Sequence, residues 1–403
     1  MTTKVRLTFA AVMAASALFA QDAALDRLKK EAASLRALSK DQQWKVTTEG
    51  LAPLHSALRD WIESRLPKNG HELRDPTGLE ATLQGELTKA GLSIPGTPPP
   101  DAVGPDWLGL GYVDLGFRWF PQLPDTLFVT AGVSAICGVD SAVYMYHFDA
   151  DGRARVFKDH PPGALGYSAG GVELSEPDTH GRRLLLIDYM SVKCASLWMG
   201  MAYSVYRLGA LGDARELLLS GERSFWLQME QPIVLKPDEL IIELKDHSVD
   251  VMVHNRTQVL RYIFADGVHR VDPVALQPQD FVEEWLTQPW SFMESRSEPK
   301  TREWHDRLHG GYVFAEYAGV IQCATRPGRW LIALDVNQIG EKKLSEPLAS
   351  YFLVRDLGDY RYRMEAVSGT KPTGCPGDGL SSDVGPASDK HPWLSEEELK
   401  ALR

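Results

Sequence analysis

Residues 126–157 read TLFVTAGVSAICGVDSAVYMYHFDADGRARVF and contain the first set of β patterns in the chain. Three runs rich in β-branched, aromatic and small apolar residues, 127–133, 143–148 and 154–157, predict three strands. The Asp149-Ala150-Asp151-Gly152 sequence between the last two is typical of a hairpin, because Asp and Gly are the residues that tight turns require. The stretch therefore predicts one antiparallel β unit.

Three more sets of short β runs follow along the chain. They are residues 184–191, 202–208 and 214–219; 239–244, 258–264 and 268–271; and 330–336, 351–354 and 360–367. Tyr146, Tyr206 and Tyr262 stand at matching places in the first three sets, spaced 60 and 56 residues apart. Phe352 follows 90 residues later, but a 33-residue helical insertion, residues 277–309, lies in that interval. Residues 107–368 are thus predicted to be repeated antiparallel β units, propeller-like, with a β-sandwich as the alternative.

The chain before residue 107 has a different pattern. Apolar residues with helical spacing predict three helices, at about 25–38, 48–66 and 75–91, within a helical segment that covers residues 21–92. Residues 93–106 contain five prolines and are predicted to be an extended linker. The fold class is therefore mainly β with an N-terminal helical segment and a helical insertion; the helices either pack on each other or cover the β domain.

The two ends of the chain predict an exported protein with a loose tail. Residues 1–20 combine two basic residues, an apolar run and a final Ala20, which is typical of a cleaved signal peptide. We therefore expect a periplasmic or secreted protein without a membrane anchor. Residues 369–403 are predicted to be a flexible tail rich in Gly, Pro, Ser and Asp, with a short terminal helix after Ser395.

Charge argues against two classes of partner. The chain has 43 basic and 54 acidic residues and a formal net charge of −11. Nucleic acids and anionic membranes are bound through basic patches, so we expect neither as a partner. An unknown protein or carbohydrate ligand is the expected partner.

The four cysteines predict disulfides. They are Cys137, Cys194, Cys323 and Cys375. An even number of cysteines in an exported chain favours two disulfides, for which three connectivities are possible. We favour Cys137 with Cys194, which follow the first strands of successive β units, and Cys323 with Cys375, which would fasten the tail. The wide spacing lacks the paired cysteines of a zinc site.

Three motifs with possible chemistry each have a simpler explanation. Residues 166–170 read GYSAG and match the GxSxG pattern of serine hydrolases, but the flanking sequence lacks the strand and helix that expose the nucleophile, which favours a glycine-rich loop. Asp149 and Asp151 resemble the start of a calcium loop, but the later carboxylate ligand is missing. His305 and His309 share a helix face without the glutamate of a metalloprotease helix, so a surface pair is favoured.

Carboxylate catalysis is not predicted either. Glu283 and Glu284 are adjacent on a helix and are not expected to converge on one bond, as a glycosidase requires. No catalytic residue is nominated, and no metal or cofactor is expected.

The helical insertion is the predicted contact surface. It carries Trp285, Trp290 and Trp304, and additions to repeat scaffolds are often the binding element. The alternative is that the insertion caps the β domain and buries all three. We therefore expect a non-catalytic binding or interaction protein; an extracytoplasmic hydrolase acting on carbohydrate or ester is the second hypothesis.

Overall fold

The structure is a computed structural model that divides into two compact units, Met1–Arg223 and Ser224–Arg403. It describes residues 22–66, 76–94, 109–135, 138–148, 154–161, 166–192, 198–210, 215–226, 232–249, 255–309, 312–338, 349–373, 375 and 392–393. The predicted signal peptide, terminal helix and most of the linker lie outside these residues. None of the helices in the described part of the chain has the length and apolar character needed to cross a bilayer.

The helical segment of the first unit has three main helices, as predicted. Its helices are α1 (residues 22–36), α2 (Lys40–Gln43), α3 (Thr48–Arg65) and α4 (Pro76–Lys89). The side chain of Thr47 caps α3 by accepting a hydrogen bond from the Gly50 N–H at 3.3 Å. The chain leaves α4 through Gly91, whose positive φ of 69° suits glycine.

The first sheet begins the β structure, and its strands are β1 (Val113–Trp119), β2 (Thr126–Ala135), β3 (Gly138–Phe148) and β4 (Ala154–Asp159). Each strand pairs antiparallel with its neighbour in the chain. Strand β2 is buried on both faces: Leu127 and Val129 pack with the helices, whereas Phe128 packs with the second sheet. The helical segment therefore covers one face of the first sheet, which is one of the two arrangements expected.

The second sheet completes the β structure of the first unit, and its strands are β5 (Tyr167–Leu174), β6 (Arg183–Val192), β7 (Trp198–Leu208) and β8 (Arg215–Trp226). Residues 167–170 of the GYSAG motif lie in β5, directly after Gly166, so the loop prediction for the motif was wrong. The two glycines of β5 suit a close approach of strands: a Cβ on Gly170 or Gly171 would collide with the carboxylate of Asp188 on β6.

The second unit has two further sheets with the same sequential strand order. The third comprises β9 (Ile233–Leu235), β10 (Glu239–His247), β11 (Asn255–Ile263) and β12 (His269–Arg270). The fourth comprises β13 (Tyr312–Gln322), β14 (Arg329–Gln338), β15 (Ala349–Asp356) and β16 (Tyr362–Ser368). The protein is thus mainly β, with four antiparallel four-stranded sheets.

The predicted helical insertion separates the third and fourth sheets. It contains α5 (Pro278–Thr287), α6 (Trp290–Met293) and α7 (Arg302–Leu308), with 3₁₀ turns at Glu294–Arg296 and Pro299–Thr301. Apolar residues of α5 share one core with the fourth sheet, where Phe281 and Trp285 lie with Phe352. The insertion is therefore built into the second unit through α5.

One predicted disulfide is confirmed. Cys323 and Cys375 are bonded, with their Cα atoms 4.7 Å apart, and both are buried. The bond fastens residue 375 to the end of β13. Cys137 and Cys194 lie outside the described residues.

Candidate functional site

A buried carboxylate in the first sheet is the starting point of the candidate site. Asp140 lies in β3 and has no exposed surface. Burying an ionised carboxylate is costly unless polar groups compensate for the lost water. Among the described residues, no lysine or arginine forms an ion pair with Asp140, so its partners are of another kind.

His55 is the first of these partners. It lies on the apolar face of α3, between Leu51 and Leu58, and is 4 % exposed. Its Nε2 is 2.9 Å from the Oδ2 of Asp140. Because α3 packs on the first sheet, a histidine in its apolar stripe is carried directly onto β3.

His160 is the second partner and directly follows β4. Its Nε2 is 3.2 Å from the same Oδ2 atom of Asp140. The antiparallel pairing of β3 with β4 places Asp159 opposite Val143 and so brings His160 to this end of the sheet. The Gly166 N–H donates to the other oxygen, Oδ1, at 3.3 Å. We call His55, Asp140 and His160 the histidine–aspartate centre.

Both imidazoles direct a nitrogen at an ionised carboxylate. Burial alone would raise the pKa of Asp140, but hydrogen bonds from His160 and His55 lower it to about 2. Burial also lowers the pKa of His55, against the opposing effect of Asp140. The Nδ1 of His55 is buried without a hydrogen-bond partner among the described residues. A neutral His55 with its proton on Nε2 fits these contacts, because an unpaired lone pair costs less than an unpaired buried N–H.

The neighbouring residue Asp159 fixes the end of β4. Its carboxylate accepts hydrogen bonds from the hydroxyls of Tyr189, at 2.8 Å, and Tyr206. Both tyrosines belong to the second sheet, so the backbone that carries His160 is held by strands on two sides. The histidine–aspartate centre is therefore rigidly supported at the β4 end.

The donor atoms of the centre suit a metal ion. The three atoms lie within 4.8 Å of one another. Two ligand atoms about 2.0–2.1 Å from one ion, at angles between 90° and the tetrahedral value, are about 2.9–3.4 Å apart. The two nitrogen–oxygen distances, 2.9 and 3.2 Å, fall in this range. Imidazole nitrogen and carboxylate oxygen are ligands of Zn²⁺ and of related divalent transition metals.

A second buried polar group lies in the second unit, around α5. We call it the α5 charge network; its residues are Lys245, Arg256, Arg270, Asp280, Glu283 and Glu284, none more than about a tenth exposed at the side chain. Arg256 and Arg270 each contact the carboxylate of Glu284 at 2.9 Å. Glu283 accepts hydrogen bonds at 2.8 Å from Ser248, from the Val249 N–H and from Tyr317. The adjacent Glu283 and Glu284 thus use largely different partners.

Burial and neighbouring charges shift the pKa values of the three carboxyl groups in this network in different directions. Burial, and then the negative charge of Glu283, raise the pKa of Asp280 to about 8. Burial also raises the pKa of Glu283. For Glu284 the effect of burial is outweighed by Arg256 and Arg270, which lower its pKa. At neutral pH the network therefore keeps Asp280 protonated and Glu284 ionised.

The serine of the GYSAG motif has a structural contact. The Ser168 hydroxyl donates to the carbonyl of Val139 at 3.2 Å. Ser168 lies within a strand, paired with Met190, rather than on the exposed turn of a serine hydrolase. This geometry does not support Ser168 as a nucleophile.

His305 on α7 and His309 directly after that helix both contact backbone carbonyl groups. A ring nitrogen of His305 lies 3.0 Å from the Gln288 carbonyl, and one of His309 lies 3.0 Å from the Leu286 carbonyl. These carbonyls are at the C-terminal end of α5. The two stacked rings therefore supply hydrogen-bond partners to carbonyl groups that lack a partner within that helix. His305 is 1 % exposed, so its predicted place on the surface was wrong.

The three tryptophans of the insertion divide into two kinds. Trp285 has no exposed surface, and its indole N–H donates to Ser297 at 3.0 Å, so it belongs to the core and not to a contact surface. Trp290 and Trp304 are partly exposed. Arg302 lies over the Trp290 ring at 5.8 Å, and Arg307 lies over the Trp304 ring at 4.8 Å. These two tryptophans remain candidates for the predicted contact surface.

Sequence reasoning missed the histidine–aspartate centre. Its residues lie far apart in the chain, so no local motif joins them. Two signals were nonetheless present in the sequence: His55 interrupts the apolar stripe of α3, and Asp140 stands within a largely apolar strand. Comparison of the chain with models of known protein families and with characterised proteins found no match.

Proposed function

We propose that this chain is an exported, non-catalytic binding protein that holds a divalent transition-metal ion at His55, Asp140 and His160. The observation that supports the proposal is the convergence of two imidazole nitrogens on one carboxylate oxygen, at 2.9 and 3.2 Å. His55 comes from α3, Asp140 from β3 and His160 from the residue after β4, so the arrangement depends on the packing of α3 on the first sheet.

The charge of the centre favours a cation. One carboxylate and two neutral imidazoles give a site of net charge −1, without a lysine or arginine paired to Asp140 among the described residues. Binding an ion requires each imidazole to lose its Nε2 proton, because the nitrogen lone pair must face the metal. In the α5 charge network, by contrast, Arg256 and Arg270 already occupy the position that a cation would take beside Glu284.

The unpaired Nδ1 of His55 limits the affinity. When the Nε2 of His55 binds metal, its proton moves to Nδ1, where no described residue accepts it. Metal-binding histidines usually donate this second N–H to a carboxylate or carbonyl. Leaving it unpaired costs about 1–3 kcal/mol, so we expect reversible binding rather than the very tight binding of a structural zinc site.

The hydrolase hypothesis receives less support. Ser168 is bonded to backbone within a strand. The buried carboxylates of α5 are engaged by arginines and hydroxyls of the protein itself. A protein or carbohydrate partner that contacts Trp290 and Trp304 on the insertion is compatible with a binding role.

The scaffold part of the proposal is that the four β units are propeller blades. It is supported by the four-stranded, sequentially ordered meander that recurs in every sheet.

Export is proposed from residues 1–20, and N-terminal sequencing of the naturally exported protein is expected to begin near Gln21. Recovery of an intact Met1–Ala20 segment would contradict export.

Metal binding is tested by calorimetric titration of the full chain. After dialysis against a chelator, the protein is titrated separately with Zn²⁺, Co²⁺ and Ni²⁺. We expect one ion per chain for at least one of these metals. In the His160→Ala variant the affinity should fall more than about 100-fold, since loss of an outer-shell partner alone costs 10–100-fold.

His180→Ala is the matched control. His180 lies on a turn, with a side chain 73 % exposed, and is expected to contribute nothing to the high-affinity site. Equal losses in His160→Ala and His180→Ala would show that the ion binds scattered surface histidines, and the absence of stoichiometric binding of any of the three metals would refute the proposal.

A further inference from the structure

We infer that the metal-loaded histidine–aspartate centre binds a small anion as an additional ligand of the ion, with Lys158 as the neighbouring cation that attracts it. The inference rests on the proposed metal site and specifies what that site does with its ion. Its basis is the number of protein donors, the local charge and the exposure of the three side chains.

The number of donors leaves the ion incompletely coordinated. Among the described residues, the centre offers three metal-binding side chains. Structural zinc sites have four protein ligands, whereas sites with three keep a position for water or another exogenous ligand. The Oδ1 atom of Asp140 already accepts a hydrogen bond from the Gly166 N–H, which favours coordination through Oδ2 alone. At least one position is therefore left to a molecule from solution.

The charge of the loaded centre selects an anion for that position. A divalent ion with one carboxylate and two neutral imidazoles carries a net charge of +1. Lys158 lies two residues before His160 in β4 and interacts electrostatically with both Asp140 and His55. Arg59, one turn after His55 on α3, is already paired with Asp60 and Glu63. Lys158 therefore supplies the additional positive charge.

Exposure indicates the side from which the anion enters. The side chains of Asp140 and His55 are 0 % and 5 % exposed, whereas that of His160 is 14 % exposed. Lys158 is exposed on the same strand. A small anion would therefore approach the ion beside His160, which is the most exposed of the three side chains.

The test uses the full chain loaded with Co²⁺, whose visible spectrum changes with the number and kind of its ligands. Thiocyanate is added at constant ionic strength. We expect a saturable spectral change with one thiocyanate per bound Co²⁺. In Lys158→Gln the thiocyanate affinity should fall about three- to tenfold, as expected for one nearby charge, while Co²⁺ remains bound at least as tightly.

Lys29→Gln is the control, because Lys29 is an exposed residue of α1. It should leave the thiocyanate affinity unchanged. Stoichiometric Co²⁺ binding with a spectrum insensitive to thiocyanate would overturn the anion inference but not the metal proposal. Equal thiocyanate affinities in Lys158→Gln and the unmodified protein would overturn the part assigned to Lys158, and failure of Co²⁺ to bind would overturn both proposals.

Discussion

The histidine–aspartate centre of the first unit and the α5 charge network of the second are both built from ionisable side chains that are almost entirely buried. They solve the cost of burial differently. In the α5 charge network, arginines meet the carboxylate of Glu284 directly. In the histidine–aspartate centre, two imidazoles direct ring nitrogens at one oxygen of Asp140, and an imidazole N–H can give up its proton when a metal ion binds. Arginines that pair with a carboxylate leave no place for a metal ion, whereas histidines can release a proton and bind one.

The largest expected effect tests whether the ion pairs of the α5 charge network stabilise the fold. Glu284→Ala removes the carboxylate that Arg256 and Arg270 contact and should lower the free energy of unfolding by about 3–5 kcal/mol. Denaturant unfolding of the full chain measures it. Glu303→Ala, at an exposed position of α7, should change stability by less than about 0.5 kcal/mol. Similar stabilities of the two variants would show that the network is not a structural element.

The next effect tests whether the histidine–aspartate centre can bind a metal ion. Asp140→Ala leaves two imidazoles and the Gly166 N–H without their acceptor, so we expect a loss of about 2–3 kcal/mol without metal. Zn²⁺ at 100 times its Kd should stabilise the unmodified protein by about 2.7 kcal/mol and leave Asp140→Ala unchanged. Thermal unfolding with Zn²⁺ and with a chelator measures both. Equal stabilisation of the two proteins by Zn²⁺ would contradict binding at this centre.

A smaller effect depends on pH. The folded protein holds Asp280 protonated up to a pKa of about 8, but the unfolded chain ionises it near its ordinary pKa of 3.8. The folded state therefore loses stability through this group as pH rises from about 4 to 8. Asp280→Asn removes that loss, so the variant should gain more than about 1 kcal/mol relative to the unmodified protein over this range.

Unfolding measured at several pH values checks this prediction, with Asp306→Asn on the exposed face of α7 as control. A stability difference between Asp280→Asn and the unmodified protein that does not vary with pH would mean that Asp280 is ionised in the folded state. The α5 charge network would then carry one more negative charge than we infer.

The smallest effect tests redundancy in the α5 charge network. Tyr317→Phe removes one donor to Glu283, which keeps its bonds from Ser248 and from the Val249 N–H. We expect a loss of about 1 kcal/mol. A loss as large as that of Glu284→Ala would show that the donors act as one unit rather than as independent contacts.

The sequence predicted most strands but missed the same one in every sheet. The four strands without a prediction, β1, β5, β9 and β13, each come first in their sheet and lie at its edge. The strands at the opposite edges, β4, β8, β12 and β16, were predicted, so edge position alone does not explain the four misses; β5 is interrupted by two glycines, and β9 has only three residues. An apolar pattern is recognised over about four or more residues, so a strand as short as β9, or one interrupted by glycines like β5, is easily missed.

The candidate site was beyond sequence reasoning for a different reason. The hydrogen bond between His55 and Asp140 joins residues 85 positions apart, and that contact depends on how α3 packs on the first sheet. A lone histidine in an apolar helix stripe indicates only that some partner is needed. By contrast, the disulfide between Cys323 and Cys375 could be predicted, because the number of cysteines and the Gly- and Pro-rich sequence around Cys375 limit the choice.

The sequential order of strands has a consequence for the order of folding. Each strand of the first sheet pairs with its neighbour in the chain, so the sheet can form by closing short loops. Asp140 and His160 are brought together by the β3–β4 hairpin alone, whereas His55 arrives only when α3 docks across a far longer loop. An intermediate with the sheet formed and the helix undocked has two of the three ligands. Occupation of the complete centre by an ion would therefore report that α3 has docked on the first sheet.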